Sequence, residues 1–211
     1  MTSPVSDTAR YIEPCCYSKQ LTQIMKRCEE QENGFSACAH FFSYSDWGVG
    51  ELIPFMATHV EQCELTVCLV HPDIQTLVVI DRLMKEKIIT DANAGESGYL
   101  VKKLLLICQP GMEETAEKQR AIVCNLFSQY IENGRVVYAE DNIGFRCIAA
   151  GNNHRHLFLQ GSINQQPCNA TQLFTLTTDR IAYEEAMEVL RSKARTKRLT
   201  VSQLKKIVER T

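Results

Sequence analysis

The sequence has no C-x-x-C pair, no apolar run long enough to cross a bilayer, no low-complexity segment and no internal repeat. The first absence bears on ten cysteines, at positions 15, 16, 28, 38, 63, 68, 108, 124, 147 and 168. The nearest approach to a ligand array is His59, Cys63, Cys68 and His71, which would run from a helix end into a buried strand. Its spacings match no usual zinc module. Most of the other cysteines fall on apolar faces, as in SACAHFF, LTVCLV and KLLLIC, where a reduced thiol acts as a small hydrophobe. Structural thiols are therefore expected, with no metal and no cofactor. A membrane span needs roughly 18 or more apolar residues, and the N-terminal MTSPVSDTARYIEPCC lacks a basic start followed by an apolar stretch. A cytoplasmic protein without a secretory signal is the expectation.

What is present suits a soluble globular fold. The chain has 211 residues, 45% of them hydrophobic and 23% charged, enough for a full core. Charge is uneven. Residues 191–211 hold eight Lys/Arg against one Glu, or +7, so with −2 overall the rest carries −9. A basic tail attracts nucleic-acid phosphates, but this one lacks the aromatic residues on which bases stack. It reads equally as a solvated terminal helix or one docked on its own acidic body. Three parts are expected: an N-terminal segment and helix over 1–34, an α/β domain over 35–194, and a basic C-terminal helix over 195–211.

Periodicity orders the elements. Leu21, Ile24, Met25 and Cys28 form a helical stripe within 18–31. A strand is expected over 35–44, a helix over 48–62, a buried strand over 65–70 and a helix from Asp73 to about 87. A polar loop carrying Gly95 and Gly98 leads to a strand over 100–108 and the longest helix, 113–132, closed by Asn133-Gly134. Short strands at 135–139, 145–150, 156–163 and 173–177 follow. Asp179 then caps a helix to about 193, and 200–209 forms the last. Alternation predicts a mixed, largely parallel sheet with helices on both faces.

Chemistry concentrates in one stretch, Gly161-Ser162-Ile163-Asn164, at the end of an apolar strand. There a hydroxyl and a carboxamide can face one pocket and hold phosphate oxygens. The residues and the element order around them resemble one half of a phospholipase D superfamily enzyme, whose signature is H-x-K-x4-D-x6-G-S-x-N. The resemblance in element order covers about residues 35–194, with FRCIAAG where the His and Lys stand in the family. It implies that Gly161, Ser162 and Asn164 bind ligand phosphate, and that two halves meet across a twofold site, so a single half implies a homodimer.

The first half of the signature is absent. Counting back without gaps puts Cys147 at the His position, Ala149 at the Lys position and His154 at the Asp position. A gap of two puts Phe145 and Cys147 at the His and Lys positions instead. The attacking imidazole and its lysine are gone either way, which makes the protein an expected non-catalytic binder of a phosphate-containing ligand or nucleic acid. His154 and His156 fall in or beside a hairpin loop, about 16–23 Å from Ser162 at the usual strand rise. Cys147 is the one alternative nucleophile, and a thiolate needs a nearby base or helix start. Two other readings stay open. One is an active phosphodiesterase or nuclease using Cys147 or a histidine from a second subunit. The other is a flavodoxin-like or receiver-like binding protein with its ligand near 45–50, 70–73 and 109–111. Gly48-Val49-Gly50 lacks the third Gly and the Lys-Ser/Thr of phosphate loops.

Overall fold

The structure, a computed structural model, describes residues 22–26, 38–43, 48–91, 96–163 and 172–209. Residues 22–26 are helical, with Met25 buried. Strand β1 (Cys38–Ser43) precedes helix α1 (Val49–Val60), β2 (Cys63–Val70), α2 (Ile74–Lys85) and a short pair, β3 (Lys87–Asp91) with β4 (Glu96–Tyr99). Then come β5 (Val101–Gln109), α3 (Glu113–Glu132), β6 (Val136–Glu140), β7 (Cys147–Gly151), β8 (His156–Gly161), β9 (Gln172–Thr177), α4 (Arg180–Lys197) and α5 (Val201–Val208).

Seven strands form the main sheet in the order β1-β9-β8-β7-β2-β5-β6. The α/β class and the helices on both faces hold, but the sheet is not largely parallel. Only β2–β5 and β5–β6 pair parallel, while β2–β7, β7–β8, β8–β9 and β9–β1 are antiparallel. The consecutive strands β7, β8 and β9 insert between β1 and β2 instead of extending an edge. Hairpin connections force antiparallel neighbours, so this placement converts the centre of the sheet.

The apolar residues of each strand alternate between the two faces. On one face α1, α2, α3 and α5 cover Leu65, Val67, Leu104, Leu106, Tyr138, Ile148 and Leu159. On the other, α4, alone among the described helices, packs Tyr183, Met187, Leu190 and Ala194 on Cys68, Ile107, Ala139, Cys147 and Phe158. Helix starts follow their caps: Asp73 accepts from the Thr76 N–H at 2.7 Å, Asp179 from Ala182 N–H at 2.7 Å, and Thr200 from Gln203 N–H at 3.3 Å. The terminal helix α5 buries Val201 and Leu204 in the main core. The loop expected around Gly98 is instead the β3–β4 hairpin, a separate two-stranded sheet. Arg135 stacks its guanidinium 3.9 Å from the Tyr99 ring and donates to the carbonyls of Met84 and Val101 at 3.0 Å, which holds that hairpin to the body.

Candidate functional site at the strand ends

Parallel strands β2, β5 and β6 end on one edge of the sheet. Strand β7 begins there, because Cys147 lies opposite Cys68. Strand β8 ends there, because Gln160 lies opposite Cys147. Gly161 and Ser162 therefore sit at the carboxyl edge of the parallel strands, where ligands bind in open α/β sheets. The β7–β8 turn, with Asn152, Asn153, His154 and Arg155, lies at the opposite edge.

Gly161 is there for a backbone reason. Its φ is +150°, and a Cβ on it would lie 2.1 Å from the Leu173 carbonyl oxygen. The Ser162 N–H donates to that same carbonyl at 3.0 Å. The Gly161 N–H donates to the Arg146 carbonyl at 3.3 Å, and Arg146 Nη1 donates to the Ile163 carbonyl at 2.6 Å. The Ser162 side chain is exposed, Ile163 beneath it is buried, and Asn164 lies outside the described residues.

The β7–β8 pairing ends at Cys147–Gln160, and Phe145, two residues before β7, lies in a bend. Its ring is 40% exposed, and it carries no nucleophile. Cys147 faces the α4 side of the sheet and is fully buried beside Cys68. Its hydrogen bond with Cys68, and then burial, hold its thiol well above the usual range. Cys68 in turn donates to the Phe145 carbonyl at 3.6 Å. A thiol so placed stays protonated and out of reach of a substrate.

The remaining sequence candidates lie apart. Cys63 and His71 flank β2 at its two ends, so the set His59, Cys63, Cys68 and His71 does not converge. His59 Nδ1 is engaged with the Phe55 carbonyl at 2.8 Å. No group of three His, Cys, Asp or Glu able to hold a metal is found among the described residues. At Gly48 the backbone N–H donates to the Glu51 carboxylate at 2.9 Å, so the helix's own carboxylate stands where a phosphate would. Residues 44–47 lie outside the described residues. His71, with φ 48°, lays its ring against Gly111, where a Cβ would come within 2.3 Å of Cε1. This contact closes the space between the ends of β2 and β5.

Two polar clusters were not legible as units in the sequence. Arg120 of α3 pairs with Glu140 at the end of β6 at 2.7 Å, Tyr138 donates to the same carboxylate at 2.8 Å, and Gln119 donates to Tyr138 at 3.2 Å. Arg120 also meets Glu113 at 3.1 Å, so its charge is fully engaged within the cluster. At the opposite edge, a cleft of about 800 Å³ is lined by His154, His156, Arg180, Tyr183, Glu184 and Arg191 among others. The His156 ring lies 4.9 Å from that of Tyr183. Burial first, then the nearby Arg180, hold its pKa below the usual histidine value, against the opposing pull of Glu184.

No protein-family model and no curated protein matches the chain. Among solved structures, the chain is similar to a phosphatidylserine synthase of Haemophilus influenzae Rd KW20, with a TM-score of 0.53 and 12% identity over 83% of this chain and 42% of that one. The likeness shows a shared fold, and the chain spans about two fifths of the synthase. It is also similar to TrmBL2, an archaeal chromatin protein, with a TM-score of 0.41 and 9% identity over 85% of this chain and 60% of that one. That second likeness is too loose to bear on fold or function. No described helix is long and apolar enough to cross a membrane.

Proposed function

We propose that the chain is a non-catalytic phospholipase D-like protein. It pairs with a second copy and uses the strand-end edge around Gly161, Ser162 and Asn164 to bind a phosphate-containing ligand or a nucleic-acid backbone. The shared fold with a synthase of the phospholipase D superfamily supports the architecture. One observation carries the loss of catalysis: Cys147, the one alternative nucleophile the sequence offers beside this edge, is fully buried. Phosphodiester attack needs an activated nucleophile within reach of phosphorus, and a buried thiol held well above its usual range does not supply one.

Two measurements test this. The chain is expected to leave bis-p-nitrophenyl phosphate uncleaved while sedimenting as a dimer at micromolar concentration. Turnover abolished by Cys147→Ala would replace the proposal with an altered-nucleophile enzyme. A monomer would remove the paired arrangement, and stabilisation by flavin with no response to phosphate would favour the flavodoxin-like reading.

A further inference from the structure

Helix α4 is the one described helix on its face of the main sheet, and it leaves part of that face open. Across β2, β5 and β6 the residues Thr66, Leu105 and Val137 lie side by side in register. Leu105 and Val137 are half-buried, whereas Ile107 and Ala139, two residues further along the same strands, are fully buried under the helix. Between this row and the helix runs an open groove of about 280 Å³, walled on the helix side by Met187 and Ala194.

Its rim is cationic. Lys103, Arg135, Arg191, Arg195 and Arg198 line it against a single carboxylate, Glu64, with Arg135 turned to the Met84 and Val101 carbonyls and the Tyr99 ring. Arg191 and Lys103 both pair with that carboxylate, at 3.1 and 3.3 Å. Among the described residues, Arg195 and Arg198 make no ion pair and no side-chain hydrogen bond. Positions 187, 191, 194 and 195 recur at helical spacing on one face of α4, and buried Met187 and Ala194 show that this face fronts the sheet. Arg198, the extended residue just past the helix, is held beside it by a backbone bridge to Ala139 of β6. An arginine stem often lies over apolar surface with its head in water. Here two arginines without carboxylate partners line one groove beside a half-open apolar row.

Guanidinium forks match phosphate oxygens, often in bidentate pairs. A phosphate monoester carries close to two negative charges at neutral pH, which equals the two unpaired arginines. The volume lies at the lower end of the usual ~300–1,000 Å³ for ligand pockets, which suits a short apolar body. We propose that this groove binds a small amphiphilic phosphate monoester, its body on Leu105 and Val137 and its head between Arg195 and Arg198. The site is separate from the strand-end edge at Ser162.

Calorimetric titration of the full chain with octyl phosphate tests the assignment. Saturable binding is expected, with inorganic phosphate and octyl glucoside each at least about tenfold weaker, since each offers half of the recognition. The exposed double variant Arg195→Gln/Arg198→Gln is expected to lose at least about tenfold in affinity with an unchanged Tm, while Lys205→Gln/Lys206→Gln, which removes the same charge from exposed positions of α5, binds as the parent does. Undiminished binding by the arginine variant would overturn the proposal. So would octyl glucoside binding equally well, or no saturation up to about 1 mM octyl phosphate. Binding lost in Ser162→Ala but kept in the arginine variant would move the phosphate to the strand-end edge.

Discussion

Gly161 shows how one residue can carry two readings. In the sequence it opens a phosphate-binding signature; in the structure its α-carbon passes so close to the Leu173 carbonyl that no side chain fits. Gly161→Ala is expected to destabilise the fold by about 1–3 kcal/mol through strain at positive φ and the backbone clash. A shifted urea midpoint with unchanged slope would check it. His156 offers a second test. Burial and Arg180 depress its pKa, so the unfolded chain binds a proton there at higher pH than the folded one does. Its contribution to stability is complete above the unfolded value near 6.5 and is lost as pH falls through the folded value. NMR titration should place the ring below 6.5, and Arg180→Gln should raise it.

Among the elements, α3 was readable from end to end because its apolar period and the Asn133-Gly134 stop agree, and Gly134 has φ 76°. Helix α4 was readable at its start only. Asp179 caps it, and Asp179→Ala is expected to cost about 1 kcal/mol in thermal unfolding. The helix then continues to Lys197, past the expected end near 193, because Ala194 finds a buried seat against the sheet. The β3–β4 hairpin left little trace in the sequence. Its strands are short, β4 is polar and glycine-containing, and what fixes the pair is Arg135, far along the chain, stacked on Tyr99. A long-range contact of that kind leaves no local periodicity.

At the scale of the whole molecule, two unequal helical layers enclose the sheet and decide which thiols react. Burial pushes the Cys63 thiol up to about 12, and burial likewise holds Cys108 well above the ordinary value, while the Cys68 contact and burial raise Cys147. Iodoacetamide at mildly alkaline pH should leave these three unmodified in the native protein and label them once urea unfolds it, as peptide mapping would show. The linkage has the opposite sign to that of His156. These thiols release protons in the unfolded chain first, so stability is lost as pH rises above the ordinary thiol value of 9.0 toward the folded one.

The order of the helices and of the main-sheet strands, the α/β class, the buried character of Cys147 and the remoteness of the His154 loop from Ser162 were all legible in the chain. Each depends on spacing along it or on whether a residue type favours water. The position of β7–β9 between β1 and β2, the packing of Cys147 against Cys68 under α4, and the groove under Arg195 and Arg198 were decided only by the tertiary structure. A strand's sequence records which of its faces is apolar but not which strand it pairs with, and a helix's cations do not reveal whether they meet carboxylates or an open apolar row.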